Sequence, residues 1–105
     1  MHVYRAIVHY HFKKGQEKEG LKYLEDELAK AAKAAGCKDI EVWYSERESG
    51  HVIGMGLWDS LDDARKFQSK WEAKEKELMK YCSEKPHREI YHVCSDFVKK
   101  CGKAA

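Results

Sequence analysis

The chain has one proline, no C-x-x-C pair among its four cysteines, no G-x-S-x-G turn and no glycine-rich phosphate loop. These absences remove zinc ribbons, thioredoxin-like redox centres, α/β-hydrolase serine chemistry and nucleotide-phosphate cradles as sequence-supported readings. No apolar run approaches the ~20 residues of a membrane span, so no membrane association is expected. Met1 to Phe12 carries Arg5, His9 and His11 within its apolar run and lacks a small-residue cleavage site. It does not read as a signal peptide, and the expected location is cytoplasmic. Nor is one sign of charge in excess: 20 basic against 18 acidic residues give a formal net charge of +2. Nucleic-acid binding needs a concentrated basic face, and none is expected here. The mixed run Glu72, Lys74, Glu75, Lys76 and Glu77 reads as a solvated helix face.

What is present is an orderly alternation of periods over 105 residues, the length of a single domain. Val3 to Phe12 is rich in β-branched and aromatic residues and predicts a first strand. From Glu17 to Ala35 the apolar positions Leu21, Leu24, Leu28, Ala31 or Ala32, and Ala35 recur at three and four, which predicts a helix ended by Gly36. Ile40 to Arg47 and His51 to Asp59 predict two strands joined by the turn Glu48-Ser49-Gly50. Ser60 opens a second helix with Asp62 and Asp63 in its first turn, which capping explains without catalysis. Its apolar line is Leu61, Ala64, Phe67, Trp71, Leu78 and Cys82, interrupted near Lys74 and Glu75. Ser83 to Arg88 is a loop, Glu89 to Val98 the last strand, and 99–105 a basic tail. The four cysteines are expected as thiols, with Cys82 and Cys94 as small core residues and Cys101 exposed.

The order βαββαβ is the split-βαβ, ferredoxin-like arrangement, an antiparallel four-stranded sheet with two helices on one face. The first and third strands are non-polar on both parities, as in Ala6 and Val8 against Val3 and Ile7, or Ile53 and Met55 against Val52 and Trp58. Strands of that kind are buried on both faces. One helical layer covers one face, so the other is expected to pack on a second copy, as a homodimer.

With the Lys14-Gly15 exit from the first strand and the run Gly56-Leu57-Trp58-Asp59-Ser60-Leu61-Asp62-Asp63-Ala64, the chain resembles the dimeric α+β barrel superfamily. Within it, the resemblance is to the antibiotic-biosynthesis monooxygenase type domain, and it covers about residues 3 to 95. It implies one such domain over 1–98. The family includes cofactor-free quinol and polyketide oxygenases, haem-degrading enzymes and proteins of no known activity. The residues that haem-degrading members use fall, by alignment, at Val8, Phe67 and about Glu77, and none of the three is of the required type. No haem is therefore expected, and no other cofactor or bound metal is expected either.

Two groups of residues carry what chemistry the sequence offers. His9 and His11 share a strand face by period two, and His92 with Cys94 lies on the strand expected beside it. Matching registers would gather three imidazoles and a thiol; otherwise the histidines line a dimer barrel or its rim. The second group is Tyr10, Trp58, Phe67 and Trp71, which face one another across the expected layers near the bare positions Gly54 and Gly56. Missing side chains in a strand mark a close approach or room for a ligand. The resemblance implies a cofactor-independent monooxygenase acting on a small, quinol-like aromatic, with His9, His11 or His92 as base. Tyr10, Trp58, Phe67 and Trp71 would then hold the substrate. The rival is a non-catalytic dimeric protein of the same fold that binds a small ligand or serves in stress. A histidine beside an open aromatic pocket would favour the enzyme, and a pocket filled by the aromatics the rival.

Overall fold

A computed structural model describes residues 3–93. The expectations for Cys94, Cys101 and the tail 99–105 lie outside the described residues. Four strands form one antiparallel sheet: β1 (Val3–His11), β2 (Asp39–Tyr44), β3 (His51–Trp58) and β4 (His87–Val93), in the order β2-β3-β1-β4. Between β1 and β2 run α1 (Glu17–Tyr23), a π-helical stretch (Leu24–Leu28) and α2 (Ala29–Ala34). Between β3 and β4 runs α3 (Leu61–Leu78), followed by a 3-10 turn (Met79–Tyr81). This is the ferredoxin-like βαββαβ fold.

The local signals act where the residue types place them. Gly36 takes φ 102° after α2, the left-handed conformation that stops a helix at low cost. The Ser60 hydroxyl accepts from Asp63 N–H at 3.2 Å and starts α3. The first helical run departs from a continuous α-helix. Ala29 N–H returns to Leu24 O, five residues back, and the wider turn keeps Leu24, Leu28 and Ala32 buried while Glu25, Asp26 and Glu27 face solvent. β2 ends at Tyr44, short of Arg47, because Ser45 Oγ accepts from the N–H groups of Arg47 (3.3 Å) and Glu48 (3.0 Å). That turn competes with the ladder and begins three residues earlier than the Glu48-Ser49-Gly50 signal predicts.

Even positions of β1 face the helices. Ala6, Val8, Tyr10 and Phe12 are buried there with Val52, Trp58, Leu24, Leu28, Trp71 and Leu78. Gly20 of α1 permits a close approach in this layer: a Cβ there would collide with the Phe12 ring. Odd positions of β1 face away from the helices and meet β3 in register, Ile7 against Met55 and His9 against Ile53. On this open face the Arg5 guanidinium donates to Met55 Sδ at 3.0 Å, and Trp43 and Tyr91 are 45% and 48% exposed. No described helix is long and apolar enough to cross a membrane.

Candidate functional site

The charged run on α3 contains the first departure from the sequence expectation. Glu75 is 5% exposed and is a core residue rather than part of a solvated face. It lies four residues after Trp71 and three before Leu78, on the buried stripe of the helix. Its carboxylate accepts from Tyr10 O–H at 3.0 Å and from the Arg88 guanidinium, and Trp71 Nε1–H donates to the Tyr10 oxygen at 3.0 Å. One network thus ties β1, α3 and β4 through groups that would be costly to leave unpaired. Burial, and then the charge of Glu75, push the Tyr10 phenol far above its ordinary range, so Tyr10 is a neutral donor and not a base.

The space above Gly54 and Gly56 is largely filled. A Cβ on Gly56 would meet Trp58 Nε1 at 3.0 Å and Cys37 Sγ at 3.1 Å, and one on Gly54 would meet Leu28 Cδ2 at 3.1 Å. What remains is an apolar slot of about 30 Å³ bounded by Ala6, Val8, Gly54, Phe67 and Trp71, with Gln68 and Arg88 at its edge. Roughly 10–15 Å³ suffices for one water, so this slot takes a water or a diatomic molecule and no ring. Of the four aromatics expected to hold substrate, Tyr10, Trp58 and Trp71 are core side chains at 0–2% exposure. Phe67 is half-buried, tilted 35° against Trp58 and stacked on Trp71 at centroid distances of 5.4 and 6.3 Å.

Gln68 and Arg88 also line a second space, an open cleft of about 440 Å³ between the start of α3 and β4 that includes Tyr4, Arg65, Ile90 and His92. That volume lies within the usual range for a small-molecule site, roughly 300–1,000 Å³. Gln68 Nε2 and Arg88 Nη1 are shielded from solvent and have no hydrogen-bond partner among the described residues. Glu72 Oε1 stands 3.6 Å from Arg88 Nη1, close enough for charge attraction and too far for a hydrogen bond. Gln68 and Arg88 border both the slot and the cleft, and a water or ligand oxygen in either space would satisfy their buried donors. The sequence reading missed both. Gln68 follows Phe67 on a helix whose phase was legible, whereas Arg88 was assigned to a loop.

The histidines divide between the two faces of the sheet. His92 is on the helix side, in the cleft, and its ring stacks on Tyr4 with centroids 4.9 Å apart. His9 and His11 are on the open face, so the sheet separates them from Tyr10, Trp58, Phe67 and Trp71. The register places His92 opposite Tyr4 and His87 opposite His9. Five positions along a strand are roughly 16 Å, so His92 does not join His9 and His11. Their neighbours are His51 and His87, with His9 Nδ1 3.0 Å from His51 Nε2 and 6.1 Å between the rings of His9 and His87. Burial, and then the neighbouring imidazoles, hold His9 below the ordinary histidine value. Cys82 is buried, as expected, and so is Cys37, whose thiol donates to Asp39 O at 3.1 Å.

No family model matches the sequence, and no curated protein matches it. Solved structures do match in fold. A protein of Nitrosomonas europaea, provisionally named an antibiotic biosynthesis monooxygenase, superimposes with a TM-score of 0.77 at 12% identity, over 89% of this chain and 91% of its own. One of Caulobacter crescentus with the same provisional name gives 0.75 at 18% identity, over 89% and 91%. A dimeric ferredoxin-like protein from an uncultured marine organism gives 0.69 at 18% identity, over 90% of each chain. At such identities the likeness establishes the fold: the chain has the ferredoxin-like α+β fold of the antibiotic biosynthesis monooxygenase structures.

Proposed function

We propose that the chain is a homodimeric small-molecule protein whose α3–β4 cleft takes a small aromatic with an ionisable oxygen, and that it oxidises such a phenol with dioxygen and no cofactor. The pair of buried donors without a hydrogen bond, Gln68 Nε2 and Arg88 Nη1, carries the reading. A phenolate oxygen accepts from both, and a guanidinium favours the ionised form. His92, in the same cleft, takes the phenol proton, a task suited to imidazole near neutral pH. The ring carbon para to the oxygen is then electron-rich and adds dioxygen. One oxygen atom stays on that carbon, the other leaves as water with two hydrogens from the substrate, and the product is a quinone. The ring occupies the cleft because the slot above Gly54 and Gly56 is too small for it. The names of two fold neighbours point to the same class of reaction.

The dimer rests on the open sheet face, where Ile7, Ile53 and Leu57 are half-buried and Trp43 and Tyr91 exposed, and on the dimeric fold neighbour. Binding without turnover is the second reading, favoured by the packing of Tyr10, Trp58 and Trp71 into the core. Oxygen uptake over a panel of dihydroxy-aromatics separates the two. Turnover that is lost in His92→Ala and retained in His9→Ala and His11→Ala supports the oxygenase. Binding with no uptake for any member leaves the non-catalytic protein.

A further inference from the structure

We infer that His11, Glu48 and His51 form a site for a divalent transition-metal ion of the zinc class, at the end of the open sheet face and apart from the cleft. His11 closes β1 and His51 opens β3, and the two are paired directly across the ladder. Glu48 reaches both from the hairpin turn. One ligand atom from each residue lies within 4.8 Å of the other two. His11 Nδ1 is 3.5 Å from Glu48 Oε1, and His51 Nδ1 is 3.3 Å from Glu48 Oε2. A tetrahedral ion with bonds of about 2.1 Å sets its ligands roughly 3.4 Å apart, so each ring already stands at about that spacing from one oxygen of the carboxylate, Oε1 for His11 and Oε2 for His51.

The far side of each ring supplies an independent sign. His11 Nε2 is 3.3 Å from Glu84 Oε1, and His51 Nε2 is 3.0 Å from His9 Nδ1. Metal-bound imidazoles regularly donate their second N–H to a carboxylate or another acceptor, which fixes tautomer and orientation. Both nitrogens of His11 face carboxylate oxygens. A neutral imidazole has one N–H and cannot serve both; a metal on Nδ1 with the proton on Nε2 does, as does an imidazolium. The two rings stack at 4.3 Å and 18°, so a turn about χ2 is needed to aim both lone pairs at the shared centre. Two imidazoles and one carboxylate are a zinc ligand set that leaves a fourth position for water, and imidazole disfavours magnesium and calcium.

The sequence offers only two imidazoles on one strand face, and further ligands depend on a register that it does not fix, so no metal is expected from it. The fold brings His51 and Glu48 to His11. Titrating the untagged full chain with Zn2+ by calorimetry, and with Co2+ by its visible d–d absorption, tests the site. One ion per chain with tetrahedral cobalt bands is expected. His51→Ala and Glu48→Gln should each weaken binding at least ~100-fold, and Glu84→Gln about 10-fold, the scale of an outer partner. Glu48 is 61% exposed, so Glu48→Gln tests ligation without threatening the fold. Cys94→Ser with Cys101→Ser should bind as tightly as the parent chain. Binding that survives His51→Ala with Glu48→Gln, binding lost only with the cysteines, or no uptake at millimolar Zn2+ would each overturn the assignment.

Discussion

Replacing Glu75 by alanine removes the acceptor of two buried donors at once. Tyr10 O–H loses its partner at 3.0 Å, and Arg88 loses the carboxylate that neutralises it. Taking one member from a buried ion pair costs about 3–5 kcal/mol, because the remaining charge is left uncompensated. Arg88 keeps 17% side-chain exposure and has Glu72 Oε1 at 3.6 Å, which places the expected loss near the low end, at about 3 kcal/mol. Glu75→Gln retains an acceptor oxygen but not the charge and should lose about 1.5–3 kcal/mol, the worth of a hydrogen bond to a charged group. Glu75→Leu combined with Arg88→Met removes both charges and should recover much of the loss, since well-packed apolar replacements of buried pairs are often neutral. Urea unfolding followed by tryptophan fluorescence measures all three, with Glu77→Ala on the exposed side of α3 as a control expected within about 0.5 kcal/mol. A Glu75→Ala chain as stable as the Glu77→Ala chain would show that Glu75 faces solvent and would dissolve the network.

Gly20→Ala should destabilise by about 1–3 kcal/mol despite the better helix propensity of alanine, because the new methyl overlaps the Phe12 ring; chemical denaturation should also show the loss relieved by Phe12→Leu. Burial, and then the charge of Glu75, raise the Cys82 thiol from 9.0 to about 11, so the folded chain keeps a proton that the unfolded chain sheds. The stabilisation is full below pH 9 and lost as pH rises through about 11; Cys82→Ala should flatten that decline, worth roughly 2–3 kcal/mol, in urea titrations across this window. Sedimentation at micromolar concentration should give twice the chain mass of 12.3 kDa, and Ile53→Lys on the open face should give a folded monomer. A parent chain that sediments as a monomer would refute the sheet-on-sheet dimer.

The elements were legible because each rests on a local rule. Leu21, Leu24 and Leu28 keep helical spacing, Gly36 adopts the left-handed stop, and Ser60 caps α3. The site was less legible because it depends on register, which pairs residues far apart in sequence. A shift of five positions along β4 separates His92 opposite Tyr4 from His87 opposite His9. Period two correctly put His9 and His11 on one face but could not say which face looked at the helices. Glu75 was hidden by its neighbours: amid Glu72, Lys74, Lys76 and Glu77 it read as solvated, although its spacing from Trp71 and Leu78 places it on the buried stripe. Its partners, Tyr10 and Arg88, lie 65 and 13 positions away, where no helical periodicity reaches.

The cleft is tested most directly by equilibrium binding of a dihydroxynaphthalene, titrated anaerobically by calorimetry into the parent chain and into Gln68→Leu. Gln68 lies outside the Glu75–Arg88 pair, so the substitution removes one cleft donor and leaves that ion pair intact. Losing a hydrogen bond to an ionised oxygen is worth about 1.5–3 kcal/mol, so affinity should fall roughly ten- to a hundredfold. His9→Ala, on the opposite face of the sheet, should bind as the parent does. Equal affinity in the parent and Gln68→Leu, or a loss in His9→Ala alone, would contradict a ligand seated in the α3–β4 cleft.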